Sequence, residues 1–184
     1  DPNIPYSRLI PDEAERAKFF ATVCTHEWNL EQDRGRSWEE AEDILIAEHP
    51  DQADLIRAFR IHWPEMVSHS YEDSVAIMLG FIESGQDVTM LTNFAADTFR
   101  EAKEKFPFLK APRGVTVSGE IGLIKPDRAI YDRHVDVFDL DPAACLFIDD
   151  SKPNVDGAIS AGWQAIHFRD PSQLRHELST LGLI

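Results

Sequence analysis

The chain has 184 residues, 43% apolar and 28% charged, enough for one sizeable core, or a core with a small companion unit, and too few for three domains. Its 18 Lys and Arg against 33 Asp and Glu leave a formal charge of −15, a field that repels phosphate backbones and anionic lipid surfaces. The densest basic stretches, Arg34 to Arg36 and Lys103 to Lys105, are short, so neither nucleic acid nor a membrane is expected as a partner. No apolar run approaches the roughly 20 residues of a membrane span. The two cysteines, Cys24 and Cys145, lie far apart and read as reduced thiols in a cytoplasmic setting.

The first seventy residues read as helices with short connections. Residues 12–24 place Ala14, Ala17, Phe20, Ala21 and Cys24 on one face, with acids at the start where the helix dipole favours them. Ser37-Trp38-Glu39-Glu40 is a capping box opening a helix that runs to about His49, before Pro50. A third helix spans about Gln52 to Trp63, and Val67 to Ser70 forms a seam to a second region. The division expected is residues 1–70 against residues 71–184.

After the seam, helix and strand alternate. A helix over Asp73 to Ser84 precedes a short strand, Asp87 to Leu91, that ends at Thr92-Asn93. A helix over 95–106, a weak strand at Val115 to Val117 and a helix from Asp127 to about Phe138 follow. Ala143 to Ile148 is a continuous apolar run that stops at Asp149-Asp150. A helix with Pro153 in its first turn, a strand at Gln164 to Phe168 and a helix from Ser172 to Leu181 complete the chain. The alternation predicts an α/β fold with a mainly parallel sheet covered on both faces.

In an open α/β sheet, ligands bind beyond the carboxyl ends of the strands, so polar residues that abruptly end apolar strands are the first candidates. Thr92-Asn93 offers a hydroxyl and an amide before a helix whose free N–H groups suit an anion. Asp149-Asp150 places two carboxylates side by side; charges about 4 Å apart repel by about 4 kcal/mol at an effective dielectric near 20, so the pair calls for a cation or a proton. Hard oxygen ligands with strict geometry suit Mg²⁺. Lys125, just before Pro126, can neutralise a phosphoryl group or a carboxylate. Taken singly, a Thr-Asn pair also serves as a helix cap and a Lys-Pro as a solvated turn. The histidines are scattered, without metal-ligand spacing.

LTN at 91–93, Lys125 within IKPDRAIY and FIDDSKPNV at 147–155 resemble the second, third and fourth motifs of the haloacid dehalogenase superfamily. The helical first third is similar to the α-helical cap of its sugar-phosphate phosphatase and 2-haloacid dehalogenase subgroup. The resemblance implies a Rossmann-like three-layer core with a small helical cap, and a Mg²⁺-dependent phosphatase acting on a small phosphorylated metabolite, with a sugar phosphate as a family-level expectation. It implies Thr92, Asn93 and Lys125 as catalytic residues and Asp149 and Asp150 as metal ligands. Trp28, Arg34 and Arg36, in the segment WNLEQDRGR between cap helices, are candidates for substrate contact or, alternatively, cap core and solvated charge.

One departure matters. The superfamily's first motif, an apolar strand ending in an Asp-x-Asp-like sequence that supplies the nucleophile, is not seen in these residues. In family members that strand lies between the strands ending here at Thr92 and Asp149. The expectation is a protein with roughly fifteen to twenty further residues ahead of Asp1. The competing readings are a metal-independent 2-haloacid dehalogenase on the same fold, which typically carries Ser-Asn-type residues where Asp149-Asp150 stand, and a catalytically dead binding module. A phosphoacceptor receiver domain combines similar groups, but its acids come first in the chain. Alanine at Lys125 or Asp150 is expected to abolish activity while leaving the fold.

Overall fold

The computed structural model describes residues 1–184. Six helices come first: α1 (Asn3–Leu9), α2 (Glu13–Thr22), α3 (His26–Asp33), α4 (Trp38–Glu48), α5 (Ala53–Ile61) and α6 (Trp63–Met66). Side-chain oxygens of Asp12, Thr25 and Ser37 accept the N–H groups of Glu15, Trp28 and Glu40, which starts α2, α3 and α4. Helices α1 and α3 are absent from the sequence expectation. Both are too short for a helical period to stand out, and the Thr25 cap is the local signal that marks α3.

These helices share one buried cluster that includes Tyr6, Phe19, Trp28, Ala41, Leu45, Ile56 and Phe59. Its polar atoms are satisfied inside it: the Tyr6 hydroxyl donates to the Leu55 carbonyl at 2.6 Å and the Trp28 indole to the Ala41 carbonyl at 3.3 Å. Cys24 is buried and Cys145 half-buried, both as free thiols.

The remaining chain runs α7 (Glu72–Glu83), β1 (Thr89–Thr92), α8 (Ala96–Lys105), β2 (Gly114–Val117), α9 (Ser118–Ile121), α10 (Arg128–Phe138), β3 (Leu146–Asp149), α11 (Lys152–Ser160), β4 (Gln164–His167) and α12 (Pro171–Thr180). Strand β3 starts three residues later than its apolar run, because Pro142–Ala144 makes a 3₁₀ turn capped by Asp141. The result is the expected Rossmann-like α/β arrangement. No helix is long and apolar enough to cross a membrane.

The four strands do not form one sheet. β1 pairs in parallel with β2, and β3 in parallel with β4, as two separate ribbons. The direction of the backbone groups follows from the alternation along each strand. Gln164 N–H donates to the Cys145 carbonyl and Phe168 N–H to that of Asp149, so on β3 the groups of Leu146 and Ile148 face away from β4. Arg113 N–H donates to the Val88 carbonyl, which likewise turns Thr89 and Leu91 on β1 away from β2.

Common helices hold the two ribbons together. Leu91 of β1 and Phe147 of β3 belong to one buried cluster with Ile130 and Tyr131 of α10, Ala158 of α11, and Trp163. A smaller cluster, Ile77, Ile166, Leu174 and Leu178, packs α7 and α12 against β4.

His134 of α10, only 1% exposed, pins β1 to β2: its ring nitrogens lie 2.9 Å from the Thr89 hydroxyl and 2.7 Å from that of Thr116. Burial, with a smaller contribution from Arg113, lowers the His134 pKa to about 4. A base depressed in the folded state takes up its proton first in the unfolded chain. Its neutral form therefore carries no penalty above about pH 6.5, and stability is lost as pH falls from there towards 4. Urea unfolding of the wild type and of His134→Gln between pH 4 and 7 should show a difference in stability that grows by roughly 3 kcal/mol across that window. A pH-independent difference would contradict the buried neutral imidazole.

Candidate active site

β1 and β3 end side by side, and the residue that joins them comes from the loop between α9 and α10. The Lys125 ammonium donates to the Asp149 carboxylate at 2.6 Å and to the Leu91 carbonyl at 3.0 Å. It thereby takes up one of the carbonyls that β1 turns away from β2, and it lies 5.3 Å from the centroid of the Phe147 ring. Both members of the ion pair have side chains only 8% exposed.

Each partner is fixed from behind. The Asn93 side chain brackets the Lys125 peptide unit, its oxygen accepting the Lys125 N–H at 2.8 Å and its nitrogen donating to the Lys125 carbonyl at 3.0 Å. The second oxygen of Asp149 accepts the Ser151 N–H at 2.8 Å and the Asn154 amide at 3.0 Å. The Asn154 carbonyl in turn accepts the Tyr131 hydroxyl at 2.7 Å. Gly157 lets α11 lie against the Lys125-Pro126 loop; a Cβ there would meet the Pro126 carbonyl oxygen at 2.7 Å.

Of the five residues singled out at strand ends, Asn93, Lys125 and Asp149 are in direct contact. Thr92 closes β1, half-buried, and Asp150 is exposed at the tip of β3, where its carbonyl meets His167 Nε2 at 2.9 Å. The N-termini of α8 and α11 follow these two strands, so unsatisfied N–H groups gather at the same end.

As a donor set for Mg²⁺ the carboxylates are of the right kind and too few. Both oxygens of Asp149 are engaged within the chain, Asp150 adds a single carboxylate, and no group of three or more His, Cys, Asp or Glu comes together. Asp149 and Asp150 would hold the ion only together with oxygens from outside the described residues.

Trp28, within α3, and Arg34 and Arg36, in the turn between α3 and α4, do not reach this centre. Trp28 lies in the helical core, edge-on to Trp38 and Phe59. Arg36 is spent on the Gln32 side chain at 2.8 Å and the Trp28 carbonyl at 2.9 Å. Arg34 lies 3.5 Å from Glu31 and 3.6 Å from Asp127. Trp28 is thus a core residue, Arg34 pairs with acids at the surface, and Arg36 is hydrogen-bonded within its own turn.

What the helices do offer is a cavity of about 170 Å³ against the loop after β1, lined by Asn29, Asp33, Trp38, Trp63, Val67, Asn93, Phe94 and Thr98. Ser118, fully buried, closes the seam beside it, accepting the Phe94 N–H at 2.8 Å and donating to the Asp33 carbonyl at 2.6 Å. Gly119 permits that approach, since a Cβ would lie 2.8 Å from the Ala96 nitrogen and the Phe94 carbonyl oxygen. Neither Asp33 nor Ser118 stands out in the sequence; an acid in WNLEQDRGR reads as solvated until its packing is known.

No protein-family model matches the chain. A HAD family enzyme from Bacteroides thetaiotaomicron, solved as an aspartate-to-alanine variant in complex with magnesium and inorganic phosphate, superposes with a TM-score of 0.67 over 95% of this chain and 91% of that one, at 20% identity. L-2-haloacid dehalogenase from Xanthobacter autotrophicus, with chloropropionic acid covalently bound, superposes at 0.61 over 98% and 76%, at 17% identity. The fold is that of the haloacid dehalogenase superfamily. In sequence, the chain is 30% identical over 97 residues to the sesquiterpene phosphatase AstK of Aspergillus oryzae, covering 53% of this chain and 50% of that protein. It is 28% identical over 158 residues to the chloroplast flavin mononucleotide hydrolase 1 of Arabidopsis thaliana, covering 79% of this chain and 62% of that protein. The chain thus spans between half and five-eighths of the length of these relatives.

The Lys125–Asp149 pair is buried and joins β1 to β3, so its removal bears on stability. Lys125→Met strands a buried carboxylate and should cost about 3–5 kcal/mol, whereas Lys125→Met with Asp149→Leu removes both charges and should recover most of that loss. Urea midpoints of the two singles and the double provide the measurement. A double variant as unstable as the sum of the singles would mean that the pair is not coupled.

Proposed function

We propose that the protein is a phosphatase that hydrolyses a small phosphate monoester through an aspartyl-phosphate. The observation that carries this reading is the buried Lys125 ammonium, clamped by Asn93 and Asp149 where the two half-sheets end side by side. The nucleophilic carboxylate is supplied by a strand outside the described residues. Its place is between β1 and β3, where Thr89 and Leu91 on one side and Leu146 and Ile148 on the other turn their backbone groups away from their ladders. The names of the two curated relatives, a sesquiterpene phosphatase and a flavin mononucleotide hydrolase, support the same chemistry.

In this reading the carboxylate attacks phosphorus, the P–O ester bond breaks, and the leaving alkoxide takes a proton from a second acid of the entering strand, which the attacking water of the next step restores. Water then attacks the acyl phosphate, releasing inorganic phosphate and the free carboxylate. Lys125 offsets the charge gathered between nucleophile and phosphoryl oxygens, and Thr92 donates its hydroxyl hydrogen to one of those oxygens. Asn93 holds the Lys125 backbone in place, and Asp149 keeps the ammonium oriented. Asp149 and Asp150, together with oxygens from the entering strand, would hold Mg²⁺, which would supply positive charge to offset that of the phosphoryl group. The helical region acts as a cap over this centre.

The native gene product should hydrolyse p-nitrophenyl phosphate with Mg²⁺, lose activity in EDTA and regain it on adding Mg²⁺. Thr92→Val and Asp150→Asn should each lower kcat by about 10²-fold or more with little change in the urea midpoint. Halide release from 2-chloropropionate that ignores EDTA would replace this reading with the dehalogenase. Absence of both activities would leave a binding module.

A further inference from the structure

The cavity between the helical region and the loop after β1 has a composition that the phosphoryl chemistry does not use. Four of its lining side chains are apolar, three of them the aromatic rings of Trp38, Trp63 and Phe94. Trp63 and Phe94 stand edge to face at 5.7 Å, so a ring of the helical region and a ring of the β1 loop share one wall. Two of its four polar side chains are already committed: Asn93 to Lys125, and Thr98 to the Ala95 carbonyl at 3.2 Å. That leaves Asn29 and Asp33 to meet whatever enters.

Asp33 is the unusual member. No Lys or Arg lines the cavity; Arg36 is turned to Gln32 and Trp28, Arg34 to Glu31 and Asp127, and Arg60, 6.0 Å from the centroid of the Trp38 ring, to Asp97 and Glu101. Burial lifts the Asp33 carboxyl to about 6, opposed by a hydrogen bond from the Ala95 backbone and weakly by His26. Apart from that N–H group and His26, the half-buried Asp33 has no ion-pair partner within the chain.

Three ligand classes can be weighed against this lining. A second anionic group on the substrate would meet Asp33 with no base to receive it. A sugar would bring several hydroxyls to only two free polar side chains, leaving most of them unpaired. A compact cation satisfies every group present, because aromatic faces attract ammonium groups and a carboxylate pairs with them. The size also agrees, since about 150 Å³ of apolar cavity holds a benzene-sized molecule.

Resting on the phosphatase reading above, we propose that the cavity binds the organic half of the ester and that this half is a small ammonium alcohol, held by Asp33 and the rings of Trp38, Trp63 and Phe94. The substrate class is then the phosphate monoester of an amino or quaternary-ammonium alcohol. Asn93 and Phe94 line the cavity while Asn93 also holds Lys125, so one loop carries the ammonium subsite and positions the phosphoryl-facing lysine.

The test compares choline with its uncharged isostere 3,3-dimethylbutanol, which has the same shape. Binding is read from the indole NMR signals of Trp38 and Trp63, with Trp163 as the internal control, and so does not depend on hydrolysis. Choline should bind about tenfold more tightly than the isostere, and Asp33→Asn should erase that ratio. Because Asp33 also meets the Ala95 backbone, circular dichroism and Asn29→Leu serve as the control for folding. Asn29→Leu should weaken both alcohols while preserving their ratio. Equal binding of the two alcohols, no perturbation of the two indoles, or an Asp33→Asn variant that keeps the ratio would overturn the ammonium site. Choline binding with no hydrolysis of any phosphate ester would overturn the phosphatase reading alone. Ester hydrolysis by the native gene product that does not distinguish phosphocholine from 3,3-dimethylbutyl phosphate would overturn the ammonium site alone.

Discussion

One ion pair organises the molecule. Lys125 comes from a loop, Asp149 from the end of β3, and the Leu91 carbonyl that shares the ammonium from β1, so three separate segments meet at a single nitrogen. Such a pair is costly to desolvate, and its net contribution to stability is small unless every remaining donor and acceptor is also met. On the acid they are met, by Ser151 and Asn154, while Asn93 brackets the lysine backbone and the ammonium makes two of its three possible hydrogen bonds within the chain. The satisfaction is local and directional, so it fixes where the ammonium points as well as holding two ribbons at one distance.

The two-ribbon sheet gives that arrangement its meaning. Parallel sheets are ordinarily buried and continuous, and a strand edge within one is expected to be paired or covered. The edges of β1 and β3 are spanned at their carboxyl end by Lys125 and underneath by Leu91 and Phe147 packing on α10 and α11. Helices and an ion pair therefore preserve the spacing of the ribbons without a backbone ladder between them. Ile148, 37% exposed in the middle of β3, belongs to the edge that such a ladder would use.

Legibility in the sequence followed the range of the interactions. Thr92, Lys125 and Asp149 stand at abrupt ends of apolar runs or before a proline, features visible within a few residues, and their order along the chain carried the resemblance to the superfamily. The grip of Asn93 on Lys125 joins positions 32 apart, and nothing local to either residue announces it. Trp28, Arg34 and Arg36 show the converse: they have the right chemistry for ligand contact, but Ala41, Gln32 and Asp127 take up their polar groups first. Asp33, beside them, is half-buried at a seam where Ser118, 85 residues away, holds its carbonyl, and nothing local to Asp33 announces that. Helix α3 escaped for a different reason, its eight residues giving too few turns for an apolar period to show.

The acidity of the chain is consistent with this division of labour. A formal charge of −15 disfavours polyanions over the whole surface, while in the proposed site Lys125 and the N-termini of α8 and α11 offset the charges of Asp149 and Asp150. The cavity end is locally negative through Asp33, with no base in its lining. A substrate that is anionic at one end and cationic at the other feels little net repulsion from the protein as a whole and is oriented by the local difference. The same overall charge would act as a filter among small esters, against those that carry extra negative charge.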